Sequence, residues 1–336
     1  MSALVQEGYA PTTAGGIAVA NLDAQIDGLT ALLRSTGSLR EAVERLTTAA
    51  VSPLVDLLLL RGQVLGRIAD YERATKLAEA LAREAPEDGA ARLARARTRA
   101  TWHQFPQALG DLDAAERGGA DRTGIDAERA AVLQAVGRSA EALRMRRAAA
   151  EGRPDFTTLG ALAVLRAERG KLTEAEALFT EARRHYRGVS PFPIAELDFR
   201  RGLAWQVEGH LPQARAWFDS AIRRVPAYAP ALGHLAEVDA ASGAPEAAIE
   251  RLLPLTASSD DPAYPGALAG ILQRVGRAHE AEQWRVAAGV RYHQLVACHP
   301  EAFAHHAADF WLTVGGDRAE GLRLRALDRT SRLLAG

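Results

Sequence analysis

Residues 195–228 read AELDFRRGLAWQVEGHLPQARAWFDSAIRRVPAY and carry Gly202, Trp205, Gly209, Ala214, Phe218, Ala221 and Pro226. Two helical stretches flank Gly209, and the alanine five residues later opens the second. The same mark recurs at Ala42, Ala74, Ala108, Ala142, Ala175, Ala214, Ala248, Ala281 and Gly321, at intervals of 32, 34, 34, 33, 39, 34, 33 and 40 residues. A glycine stands five residues before most of these positions: Gly37, Gly137, Gly170, Gly209, Gly243, Gly276 and Gly316. Self-similarity near 34 residues marks a stacked helix-turn-helix array, which grows by adding units rather than by enlarging one core.

Each position has a physical reason. A glycine ends the first helix of a unit, where the backbone must turn left-handed. The alanine lets the second helix approach the first closely. Phe179 and Phe218 fill the gap between successive units, and Pro86, Pro154 and Pro226 stop second helices. With these offsets, the chain resembles the tetratricopeptide repeat family over roughly residues 23–335. The resemblance implies an all-α, right-handed superhelical solenoid of about nine helix-turn-helix units. The third unit is degenerate, with His103 where glycine is expected, and the first is the weakest.

The intervals also suggest a division. The 39-residue step contains Pro191 and Pro193 around Phe192, which forbid a helix there and favour an extended bend. The expected organisation is a tail or covering segment over 1–21, an N-terminal array over 22–188, a bend over 189–194 and a C-terminal array over 195–336. The 40-residue step reads as a lengthened second helix stopped by Pro300.

Charge is balanced, with 41 basic against 42 acidic residues, which argues against a dedicated nucleic-acid binder. Lysine occurs only at Lys76 and Lys171, an arginine bias that base composition explains more simply than anion recognition. The single cysteine, Cys298, excludes an intrachain disulfide. Residues 1–20 lack a signal-peptide pattern, and apolar runs such as Leu57–Leu60 fall far short of the ~20 residues that span a bilayer. A cytoplasmic protein with no membrane association is expected.

The resemblance further implies that the first helix of each unit lines the concave surface. In the N-terminal half the inward positions are small or aliphatic (Leu93, Ala94, Ala127, Ala131, Gly160, Val164), apart from Arg67 and Arg97. In the C-terminal half they become Phe199, Arg200, Gln206, His234, Glu237, Gln273, His306 and Phe310. These eight are the candidate partner contacts, a lining suited to an extended peptide or helix carrying charge. The competing assignment puts Phe199 and Phe310 in the core and Arg200 and Glu237 on a solvated face.

No catalytic or nucleotide-binding motif is present: Gly15-Gly16 and Gly118-Gly119 are followed by no GK[ST]. No cofactor is expected. His293, His299, His305 and His306 cluster near Cys298, and His234, Glu237, His306 and Asp309 are the residues from which a metal site would be built. Cys298 reads as a buried small hydrophobe and Trp102 as a possible exposed contact. The reading is a protein- or peptide-binding scaffold, with a metal- or small-ligand-binding accessory protein as the alternative.

Overall fold

The computed structural model describes residues 11–35 and 48–335, and within them every regular element is an α-helix. In chain order these are α1 (Gly15–Ser35), α2 (Thr48–Leu65), α3 (Ile68–Glu84), α4 (Gly89–Thr101), α5 (Phe105–Arg117) and α6 (Arg122–Ala135). There follow α7 (Ser139–Gly152), α8 (Phe156–Glu168), α9 (Leu172–His185), α10 (Phe192–Val207), α11 (Leu211–Arg224) and α12 (Ala229–Ala241). The last are α13 (Pro245–Ser258), α14 (Ala263–Arg274), α15 (Ala278–Cys298), α16 (Pro300–Leu312) and α17 (Arg318–Ala335). From α2 onward they pack as successive antiparallel pairs, each unit against the next.

The repeat marks do what the spacing predicts. Gly137, Gly170, Gly209, Gly243, Gly276 and Gly316 all have positive φ, and the degenerate His103 takes the same left-handed turn at φ 59°. Ala74, Ala108, Ala142, Ala175, Ala214 and Ala248 are fully buried where the two helices of a pair cross. Phe179 and Phe218 are fully buried too. A Cβ on Gly202 would stand 2.5 Å from the Phe218 ring, so this crossing needs glycine. The α2–α3 pair turns at Gly66, which the five-residue rule does not predict. Gly37 and Ala42 lie outside the described residues.

Many of the arginines link helices. Arg95 and Arg99 share Asp111, Arg183 and Arg224 share Asp198, and Arg215 and Arg251 share Asp239. Each of these carboxylates is buried. The arginine bias therefore has a structural use beyond base composition.

Two boundaries differ from expectation. α1 begins at Gly15, inside the segment read as a tail or covering segment, and its Gly15, Ala18, Leu22 and Ile26 are buried. The bend is residues 186–191, and α10 starts at Phe192. Pro193 sits in its first turn, where the missing N–H has no partner to lose. The lengthened helix α15 does end before Pro300, which itself opens α16.

The solenoid closes on itself. Helix α3 has no side-chain cap of its own; its Ile68 and Ala69 N–H groups donate instead to the Asp260 carboxylate at 2.6 and 3.1 Å. Arg291 of α15 also holds Asp260, at 2.9 Å. Ser259 donates to the Gly66 carbonyl. Trp102 stacks flat on His299, ring centroids 3.6 Å apart. The early units are thus clasped to the late ones.

Candidate functional site

Closure decides which part of the concave wall is free. Helix α2 is apolar over most of its surface, with Asp56 on an exposed face, and its apolar faces need cover. Its Leu54 and Leu58, with Leu22 and Ile26 of α1, join Ala195, Phe199, Tyr228 and Leu235 in one apolar core. The chain's own N-terminal helices therefore fill the wall formed by α10 and α12.

The eight predicted contacts split accordingly. Phe199 is 6% exposed within that shared core, and Phe310 is 6% exposed against Tyr292, so both are core rather than partner contacts. A groove position becomes a core position once another helix lies on it. Gln206, His234 and Glu237 come together: His234 Nδ1 lies 3.0 Å from Gln206 Oε1 and 3.1 Å from Glu237 Oε2, and Gln206 Nε2 donates to Glu237 at 3.1 Å. Desolvation pushes the Glu237 pKa up, but these hydrogen bonds outweigh it and leave the carboxylate below its usual range. Arg200 is exposed and pairs with Glu196 at 2.9 Å. Gln273 is exposed on α14, and His306 faces a separate hollow.

That hollow, about 390 Å³, lies between the third unit's turn and the last unit, lined by His103, Phe105, Glu301, His305, His306 and Asp328. Desolvation by its walls, then His305 and His103, lowers the His306 pKa. Asp309 is engaged by Arg325 and His305. His234 and Glu237 belong to the α10–α12 region instead. Among the described residues no group of three or more His, Cys, Asp or Glu side chains converges to hold a metal. Two further expectations change. Cys298 is exposed, and Trp102 is buried because the clasp covers it.

A longer open part of the wall lies earlier in the chain. A cavity of about 760 Å³ runs across the first helices α6, α8 and α10. Ala131, Gly160 and Val164 form its floor, and Gln134, Glu168 and Arg200 lie along it. Gln134 donates to Glu168 at 2.6 Å. Small residues leave the room, as their inward positions predict; of the polar groups along this stretch Arg200 was singled out from the sequence, whereas Gln134 and Glu168 were missed. Gln134 lies three residues after Ala131, and Glu168 four after Val164, so both fall on the same helix faces. Arg146 also lines this cavity. It was missed although the register marks it: it stands four residues after Ala142, where Phe179 and Phe218 stand in their units.

The geometry defines a helical-repeat solenoid whose early and late units meet, with a long open stretch of inner wall over α6, α8 and α10 and a smaller hollow of about 430 Å³ over α12 and α14. The fold is that of a tetratricopeptide-like α-solenoid. The human IFIT1 dimer with PPP-AAAA superposes with a TM-score of 0.56 at 17% identity, covering 86% of this chain and 73% of that one. The APC/C hetero-tetramer Cut9–Hcn1 gives 0.52 at 14% identity, covering 82% of this chain and 55% of that one. Identities of this size speak for fold alone. No protein-family model matches the sequence, and neither does any curated protein. No helix among the described residues is long and apolar enough to cross a membrane.

Proposed function

We propose that the chain is a non-catalytic scaffold that holds an extended protein segment against the inner wall of α6, α8 and α10. The observation that carries this is the 760 Å³ cavity spanning three successive first helices while the chain's own α1 and α2 occupy the later wall. Apolar floor and scattered hydrogen-bonding groups are what peptide grooves offer. Arg200 and Glu196 form the far edge of the site. Of the residues first singled out, Arg200 belongs to this site, while Gln206, His234 and Glu237 form a separate cluster whose polar atoms already pair with one another. Nucleic acid is the competing ligand class, since the IFIT1 structure holds PPP-AAAA on a similar fold. The balanced charge of this chain weighs against it.

The test is selection of peptides from a random displayed library on the intact protein, with a mixed-sequence RNA oligonucleotide assayed in parallel. Ala131 is exposed on the cavity wall, so Ala131→Trp fills the space without loading the core. Selected peptides should bind that variant at least about tenfold more weakly, at an unchanged melting temperature. Equal binding to the variant, or binding of the RNA alone, overturns the reading.

A further inference from the structure

Arg146 occupies the position that an aromatic ring fills in other units, and it behaves unlike its counterparts. Two other units also carry arginine there, and both are satisfied. Arg285 donates to Glu282 at 2.7 Å and to the Gly315 carbonyl at 3.0 Å, and Arg325 holds Asp309. Arg146 makes no ion pair among the described residues, and its Nε is buried without a hydrogen-bond partner. The carboxylates nearest in effect are engaged elsewhere, Glu128 by Arg97 and Glu168 by Gln134. Burial lowers the Arg146 pKa, whereas pairing raises that of Arg95 and Arg285. A guanidinium taken from water without a counter-charge is costly, and leucine or phenylalanine at the same place would avoid that cost.

The surroundings indicate what offsets it. Arg146 stands at the partition between the 760 Å³ cavity and a second cavity of about 430 Å³ in the seam between α6, α7 and α8. The second cavity is lined by the small or flexible apolar groups Ala127, Ala130, Met145, Ala149 and Ala161, and by Arg122 and Arg153, which pair with the lining carboxylates Asp126 and Asp155. A half-buried cation with an unpartnered Nε, at the edge of a largely apolar hollow, suits an acid with an apolar body. We propose that this seam binds a small organic carboxylic acid, its carboxylate on the Arg146 fork and its apolar body among the alanines. The planar guanidinium suits two parallel hydrogen bonds to a carboxylate. This site differs from the peptide wall, because its cation comes from a second helix and its hollow lies within the seam.

The probe is octanoate, with octanamide as its uncharged counterpart and a capped acidic dipeptide as a soluble carboxylate without the apolar chain. Calorimetry and thermal melting are run on the full chain and on Arg146→Leu. Octanoate should bind and raise the melting temperature of the wild type, and octanamide should bind at least about tenfold more weakly. Arg146→Leu should lose the octanoate response and melt no lower than wild type without ligand, because it removes an uncompensated charge. Arg146→Lys should keep a weakened response. Equal responses to octanoate and octanamide overturn the proposal, as does an octanoate response that survives in Arg146→Leu. A response to the dipeptide with none to octanoate also overturns it and moves the anion to the peptide wall. Loss of peptide binding in Ala131→Trp, with octanoate binding retained, would leave the two sites independent.

Discussion

The inner walls of α6–α8 and of α10–α12 are built from the same kind of first helix and end in opposite states. The earlier wall is open over a cavity of about 760 Å³, and the later one is covered by α1 and α2. Reading along a repeat shows which residues face inward. Whether inward means solvent or core depends on what the chain returns to that face. The more aromatic and polar wall looked like the binding surface because aromatic residues mark both interfaces and cores. Its aromatic residues serve a core.

The largest test of this contrast is Leu58→Asp. Leu58 is fully buried on α2 within the core it shares with α10–α12. A buried unpaired carboxylate costs more than the roughly 2–5 kcal/mol of a cavity-forming change at such a site. Amide exchange of α10–α12 should accelerate together with that of α2, while α7–α9 keep their protection. Exchange confined to α2 would show that its packing on the later wall contributes little.

A smaller effect compares the two walls directly. Ala214→Leu overpacks a closed helix crossing and should cost about 1–3 kcal/mol. Ala142→Leu makes the same change one helical turn from Met145 and Arg146, which line the slack seam of about 430 Å³, and should cost less. Equal losses in melting temperature would mean that the seam is as rigid as its neighbours.

The sequence carried the repeat because a turn glycine, a crossing alanine and a gap-filling phenylalanine are each enforced locally, within one unit. Even the degenerate turn at His103 was legible from the register alone. The clasp was not, since Asp260 caps a helix 192 residues earlier in the chain and no local pattern encodes so distant a partner. Trp102 and Phe199 were misjudged for the same reason: each is covered by a segment remote in sequence. One signal was available in the apolar run Leu57–Leu60. It is too short for a membrane and apolar at four successive positions, so it called for cover on more than one face. Arg146 was also visible as a break in the A-x3-F register, but its lack of a partner needs three dimensions.

The smallest expected effect is the wild type's own pH dependence at the clasp, where two groups oppose each other. Asp261, beside the clasp residue Asp260, has its pKa raised by burial from 3.8 to about 6, with Asp260 adding to the rise and Arg291 opposing it. A raised carboxylate pKa means that its contribution to stability is complete below about pH 4 and is lost as pH rises through about 6. His299, stacked on Trp102, has its pKa lowered from 6.5, by burial first; Glu72 and Glu301 oppose this and Arg291 reinforces it. Its contribution is present above pH 6.5 and is lost as pH falls. The two slopes have opposite sign over the same window, so each is best read as a difference from wild type. Asp261→Asn should melt above wild type near pH 7, and the gain should shrink toward pH 4. His299→Phe keeps an aromatic ring over Trp102 and should show the reverse, with no gain at pH 7 and an advantage that grows as the medium is acidified. If both difference curves are flat across that range, Asp261 and His299 titrate as they do in the unfolded chain. The clasp would then be solvated, and the closed ring would open readily enough to expose the later wall as well.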